Sequence, residues 1–482
     1  MDKDIYRREP SREEILEAKR EIKGHEHAIR DLEERIALLG VIALARRIPE
    51  ELLSKIFEYC IDDWTRAPMA VSQVCSAWRR AARAPRVWAH VYADLDSPGA
   101  LARTRFWLSM ARHVPLDITI MSSHLLTTQH CALLDLLVQH ATRWRRLTVH
   151  TIGLPALNAL LARIARVQTP MPFLRQVQFE PDLGELPGTD DVRPLRDAFT
   201  PENSPSLTDV VYSSRILLHA PFPLHLRHLD LSFKESPSSN PLSSSILANA
   251  LEGVPSLRTL ALTMPLDYEG PFQHDIDLTR SVSLPELETL ALYGPTDMNL
   301  FLVHLHTPAL RRLHLRSLED LGYRQSPIGP SLVHFLAAAS PPIELLELHD
   351  IDLTHDAFAA CFAALPTLRE LRLHESSISD ATLRLLYGPR GLCPRLSKID
   401  LRWCQLLSGR ELVELVRSRN DMNAHGGPEA AAVDPVADLV SEVAVLNCCF
   451  VGEKDVMQLA SLTVCRITMR PANDYCRKLR KP

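Results

Sequence analysis

The chain reads as an α/β protein, helical at its N-terminus and built of repeats over most of its length. Three observations carry that expectation. Isoleucines recur at heptad spacing before residue 45. A dense set of large apolar residues between 48 and 88 recurs at helical spacing. From about residue 144 onward, one hydrophobic triad returns again and again.

The first element is a helix expected over residues 11–45. Ile15, Ile22, Ile29 and Ile36 lie seven apart, and Leu32 and Leu39 fill the d position of the last two heptads. Ser11 followed by Glu14 makes a capping box that fixes the start. Ala18 and His25 occupy the earlier d positions, and Gly24 interrupts the middle. The seam is therefore weak at first and stronger later. It fits an intermolecular coiled coil or a helix folded back on its own chain, with self-packing or weak dimerisation favoured.

Next comes IPEELLSKIFEYC, a linker, and VSQVCSAWRRAARAPRVW. Ile48, Pro49, Glu50 and Glu51 open a helix, and Leu52, Leu53, Ile56 and Phe57 follow at helical spacing. Val71, Val74, Cys75 and Trp78 repeat that spacing, and Trp88 closes the segment. About forty residues cannot bury so many large apolar groups alone, because small domains leave much of their surface exposed. A helical module that completes its core against a partner is expected; packing on its own chain is the alternative.

In its residues this segment resembles the F-box, by which receptor subunits dock on the Skp-type adaptor of a cullin–RING ubiquitin ligase. Pro49, Glu51, Leu52, Leu53, Ile56, Phe57, Val74, Cys75, Trp78, Pro85 and Trp88 match the family pattern, and Ile48 replaces its usual leucine. The resemblance implies that Ile48, Pro49, Leu52, Leu53, Ile56, Phe57, Val74, Cys75, Trp78 and Trp88 form the adaptor contact.

The triad is hydrophobic, two variable residues, hydrophobic, one variable residue, hydrophobic. It appears as Trp144-Leu147-Val149, Leu174-Val177-Phe179, Leu207-Val210-Tyr212, Leu226-Leu229-Leu231, Leu257-Leu260-Leu262 and Leu287-Leu290-Leu292. It continues as Leu310-Leu313-Leu315, Ile343-Leu346-Leu348, Leu368-Leu371-Leu373 and Leu396-Ile399-Leu401, with Val443-Leu446-Cys448 as a final copy. Proline often stands two residues ahead, as at Pro172, Pro205, Pro255, Pro285, Pro308, Pro366 and Pro394, the mouth of a strand being where its missing donor is harmless. Helical patterns follow at 154–167, 331–339, 356–365 and 409–419.

These units resemble leucine-rich repeats, which implies a solenoid with parallel strands on the concave face and helices and loops on the convex face. Cys404 sits where one repeat subtype carries its cysteine, and Ser376 takes that place one unit earlier. Elsewhere the usual asparagine is replaced, by Lys234, Pro265, Pro295, Leu318 and Ile351. The array is thus degenerate, and a set of unrelated α/β units is the alternative. The expected division is an N-terminal heptad helix (1–45), the box (46–92), a helical linker or cap (93–143), the repeats (144–450) and a C-terminal cap or tail (451–482). Residues 424–440 read as a flexible insertion.

Net charge of −5 and a pI near 6.5 give no basic field for nucleic acid. No apolar run reaches the roughly eighteen residues a membrane helix needs, and the charged N-terminus lacks a secretory core, so a cytoplasmic or nuclear protein is expected. None of the ten cysteines forms a C-x-x-C pair, and reduced structural thiols are expected rather than a metal site. Nucleophile elbow, phosphate loop, zinc-protease helix and dinucleotide fingerprint are all missing from the sequence, so neither a catalytic role nor a cofactor is expected.

Strand alternation places His314, Glu347, Arg372 and Asp400 in one outward row, where carboxylates and bases can satisfy one another. The next row, Arg316, His349, His374 and Arg402, holds no carboxylate. It is a candidate docking stripe for an acidic or phosphorylated protein segment, against the alternative of a solvated face with counter-charges in loops. The combined reading is a substrate receptor of a Skp–cullin–F-box ligase; the rival is a ligase-independent binding scaffold.

Overall fold

The computed structural model describes residues 11–46, 48–122, 127–150, 154–166, 170–180, 195–214, 222–233, 244–264, 280–294, 296–317, 328–388, 390–424 and 438–468. The chain divides into two compact units, Met1–His90 with Phe106–Val114, and Val91–Arg105 with Pro115–Pro482.

The first unit opens with α1 (Arg12–Arg46), which runs through Gly24 without a break. The capping box is formed: the Glu14 N–H donates to Ser11 Oγ at 3.2 Å, and Glu14 Oε2 accepts from the Ser11 N–H at 2.6 Å. The seam residues Ile15, Ile22, Ile29, Leu32, Ile36 and Leu39 are between 41% and 69% exposed. Of the two options favoured by the sequence, self-packing and weak dimerisation, the first is corrected over this stretch. The reason is the width of the stripe: an a/d seam is narrower than the face a helix buries in a globular core. Three short helices follow, α2 (Glu50–Asp63), α3 (Ala67–Val74) and α4 (Ser76–Ala81), then a 3-10 turn at Pro85–Trp88 and, from Phe106 on, the second half of α5 (Ala100–Ala111).

The second unit is a mixed α/β, solenoid-like arrangement around a 14-stranded sheet that runs in chain order from His90–Asp94 to Val464–Thr468. Two short strands, Val282–Ser283 and Leu305–His306, stand outside it and pair with each other. From Leu116–Met121 onward the pairings are parallel and keep the triads in register: Leu313 faces Leu346, which faces Leu371, which faces Ile399. In every triad copy from Trp144 to Leu401, no member is more than 2% exposed. Burying such a side chain fully contributes roughly 1.5–3 kcal/mol, so this one row accounts for a large share of the core.

The prolines occupy a defined place. In most copies the first triad residue donates its N–H to the carbonyl three residues earlier, as in Leu257 to Val254, Leu287 to Leu284, Leu310 to Thr307 and Leu396 to Cys393, while Ile343 donates to Pro341 O two residues earlier. Pro255, Pro285, Pro308 and Pro394 are thus second in a β-turn, the position their fixed φ favours. The expected helices appear as Leu154–Arg166, Gly329–Ala339, His355–Ala363 and Gly409–Ala424.

Several expectations change. The ladder starts before residue 144, with His90–Asp94 and Leu116–Met121, and it extends beyond 450 to Val464–Thr468. Residues 93–143 therefore carry a sheet strand as well as helices, and Leu116, Ile118 and Ile120 are fully buried in plain alternation. The final triad is Val440-Val443-Val445, not Val443-Leu446-Cys448: Val443 pairs with Ile399 and Val445 with Leu401, while Leu446 lies in the outward row beside Arg402. Cys448 is then the counterpart of Cys404, and the two thiols donate to Leu401 O and Leu373 O at 3.6 and 3.5 Å. Among the described residues eight cysteines are free and Cys449, exposed on the turn after the strand Glu442–Leu446, is disulfide-bonded, an exception to the expectation of reduced structural thiols. The insertion expected at 424–440 falls largely outside the described residues, as do Lys234, Pro265, Pro295 and Leu318.

Candidate functional site

The helical module is closed by one side of α2. Leu53, Phe57 and Ile61 lie one turn apart and are buried. Phe57 packs on Trp78 with ring centroids 5.1 Å apart. Ser54 Oγ donates to Ala81 O at 2.9 Å, tying α2 to the end of α4. Cys75 is the N-cap of α4, its Sγ accepting from the Trp78 N–H at 3.5 Å. Trp88 is buried, donates Nε1–H to Ala82 O at 2.6 Å, and stands edge-on to Trp107 with centroids 4.8 Å apart.

A neighbouring side of α2 is uncovered. Leu52 and Ile56 are 55% and 46% exposed, Tyr59 continues their stripe, and Val74 at the end of α3 is 60% exposed. Spacing of four and three residues keeps Leu52, Ile56 and Tyr59 on one face. Residues 45–94 match the F-box-like family. Comparison with curated proteins finds no match to the chain.

The structure divides the residues expected at the adaptor contact of this F-box-like domain. Leu53, Phe57 and Trp88 are interior, so they hold the domain together and present no surface. Leu52, Ile56 and Val74 are the apolar groups it leaves open, with Pro49 exposed at the N-cap of α2 and Ile48, Cys75 and Trp78 partly covered. Tyr59 was missed in the sequence, although its spacing from Leu52 and Ile56 was there to be read. Trp107 was missed because nothing local connects it to Trp88.

On the repeat sheet, three members of the first charged row, His314, Glu347 and Arg372, pair with one another as expected, whereas Asp400 turns to Arg402 of the next row. His314 Nδ1 lies 3.1 Å from Glu347 Oε2, and Arg372 Nη1 donates to the same oxygen at 3.2 Å. The hydrogen bond from His314 is the largest influence lowering the Glu347 carboxyl to about 2. The outer row is in register, Arg316 beside His349, His374 and Arg402. It is not free of counter-charge, however. Arg402 makes a two-pronged pair with Asp400, Nε to Oδ1 at 3.0 Å and Nη2 to Oδ2 at 2.7 Å, and His349 Nε2 stands 3.6 Å from Glu375. Residues two apart on one strand share a face, so Asp400 reaches Arg402 along its own strand.

His374 packs edge-on to His349, centroids 5.2 Å apart, and its buried Nε2 has no hydrogen-bond partner among the described residues. Burial, then the nearby Arg402, lower its pKa. Protonation of His374 therefore requires a pH below the usual imidazole range. Beside this row lies a cavity of about 620 Å³ whose lining includes Glu370, Arg372, Asp400, Arg402, Glu442 and Arg466. Its charges are mixed and largely paired, Arg466 Nε lying 2.9 Å from Glu442.

Proposed function

We propose that this chain is the substrate-recognition subunit of a Skp–cullin–F-box type ubiquitin ligase. The F-box-like domain docks on the Skp-type adaptor, and the repeat sheet recruits a protein target. The observation that carries the reading is the split within α2: one side completes the domain's own core, and the other leaves Leu52, Ile56 and Tyr59 uncovered beside Val74. The chain is not an enzyme in this reading. Its contribution is to hold the target near a separate transfer module, an effective-concentration effect. On the target side, Arg316, His349, His374 and Arg402 line the outward sheet face, where an acidic segment would have to displace Asp400 from Arg402 or share it.

The test uses Leu52→Ala combined with Ile56→Ala. Both side chains are exposed, so the double variant should fold as the parent does. Burying each against the adaptor is worth roughly 1.5–3 kcal/mol, so adaptor affinity should fall on the order of a hundredfold. A folded double variant that captures purified Skp-type adaptor as well as the parent would rule out this docking face. Adaptor capture without cullin recruitment would instead favour the ligase-independent scaffold.

A further inference from the structure

The uncovered seam of α1 plays no part in that proposal. We propose that it is closed by a second copy of the same chain, as an antiparallel two-helix coiled coil centred at the level of His27. Its apolar positions form a heptad stripe, and all six of the large ones are exposed. Such a stripe needs a facing helix.

The choice of a second copy, and of its direction, comes from volume and charge. In an antiparallel pair, the a residues of one helix face the d residues of the other. About His27 that pairs Ile15 with Leu39 of the second copy, Ile22 with Leu32, Ile29 with His25 and Ile36 with Ala18. Each small or polar d residue of the weak first half meets an isoleucine of the strong second half, and every layer contains at least one large apolar group. In a parallel pair, Ala18 would face Ala18 and His25 would face His25, leaving the first half of the seam loosely packed.

The flanking charges agree. Antiparallel pairing places Lys19 beside Glu33 of the second copy and Glu21 beside Arg35, each twice by symmetry, with one unfavourable meeting of Glu26 with itself at the centre. Parallel pairing gives Glu14 with Lys19 twice, opposed by Glu21 with Glu26 twice. Flanking charges set partner choice and orientation in coiled coils, and here they select the antiparallel pair.

The test is made on the full chain, and it is independent of adaptor docking because it needs no adaptor. Light scattering at micromolar concentration should report twice the 54.2 kDa chain mass. Ile22→Asp with Ile29→Asp should give a monomer that still captures adaptor as the parent does, if docking is correct. Lys19→Glu should weaken the dimer roughly ten- to thirtyfold, since two attractive contacts become repulsive. Adding Glu33→Lys should then restore it, because the reversed charges face each other again. In a parallel pair Lys19 faces Glu14, so Glu33→Lys would rescue nothing. A parent chain that is monomeric throughout, a dimer indifferent to both aspartates, or a Lys19→Glu defect not rescued by Glu33→Lys overturns the proposal.

Discussion

Arg419 lies on the helix Gly409–Ala424, where the charged neighbours Glu414 and Arg417 are exposed, yet it is only 1% exposed. Its guanidinium donates to four backbone carbonyls, Leu386 O at 2.8 Å, Leu396 O and Cys393 O at 2.9 Å, and Leu392 O at 3.0 Å. Those carbonyls belong to the connection leading into the strand Lys398–Arg402. A buried carbonyl without a donor is costly, and a planar fork with five donors is the one side chain able to serve four at once. Arg419→Met should therefore lower unfolding stability by about 3–5 kcal/mol. Arg419→Lys should rescue only part of that, because an ammonium has three donors at a single point. Denaturant midpoints for the two variants decide it: a parent-like midpoint for either would mean water serves these carbonyls equally well.

At the scale of the element, the hydrophobic triad was legible because nearly every copy does the same physical work, with its first residue closing a turn and the next two facing the core. The register failed at Val440-Val443-Val445 because Leu446 and Cys448 are apolar too, and periodicity alone cannot say which set faces inward. The strand Leu116–Met121 was missed because it alternates without the leading turn signature. In the box, order and identity of residues were readable, but which of two adjacent leucines faces out was not. Leu52 and Leu53 differ only in helical phase, and that phase is settled by Trp78 packing on Phe57.

One feature of the repeat left no trace in the sequence pattern. The residue after the strand is left-handed at Asp350, Glu375, Trp403 and Asn447, with φ between 54° and 58°. In the first three, its N–H donates to the next strand's last carbonyl: Asp350 to His374 O at 2.8 Å, Glu375 to Arg402 O at 2.7 Å, Trp403 to Leu446 O at 2.9 Å. Left-handed backbone costs a side-chain-bearing residue roughly 1–2 kcal/mol, a strain that glycine would relieve while giving up about 0.5–1 kcal/mol in chain entropy. Glu375→Gly should thus leave stability nearly unchanged or slightly raised, whereas Leu373→Ala, two positions earlier in the core row, should cost about 2–5 kcal/mol. Thermal unfolding of the pair checks this, and a Glu375→Gly loss as large as that of Leu373→Ala would show that the side chain, not the backbone, matters there.

For the whole molecule, the division into units does not follow the order of the chain. Residues 106–114 belong with the first unit although they follow a sheet strand, and they bring Trp107 and Phe106 against Trp88, which closes the F-box-like domain. The family match ends at residue 94, so part of what stabilises the matched segment lies outside it. Trp107 is buried, so its effect on docking is expected to pass through the domain's stability. Trp107→Ala should cost about 3–5 kcal/mol, as truncation of a buried tryptophan does. Adaptor capture should fall in proportion to the unfolded fraction and recover on cooling towards the temperature of greatest stability. Trp107→Phe should be far milder, because its indole N–H is buried with no hydrogen-bond partner among the described residues, and removing that donor offsets part of the lost contact. Melting curves read with adaptor capture across temperature test the chain of cause. Capture lost with an unchanged melt would make Trp107 part of the docking surface itself. An unchanged melt with full capture would mean that the F-box-like domain stands without residues 106–114.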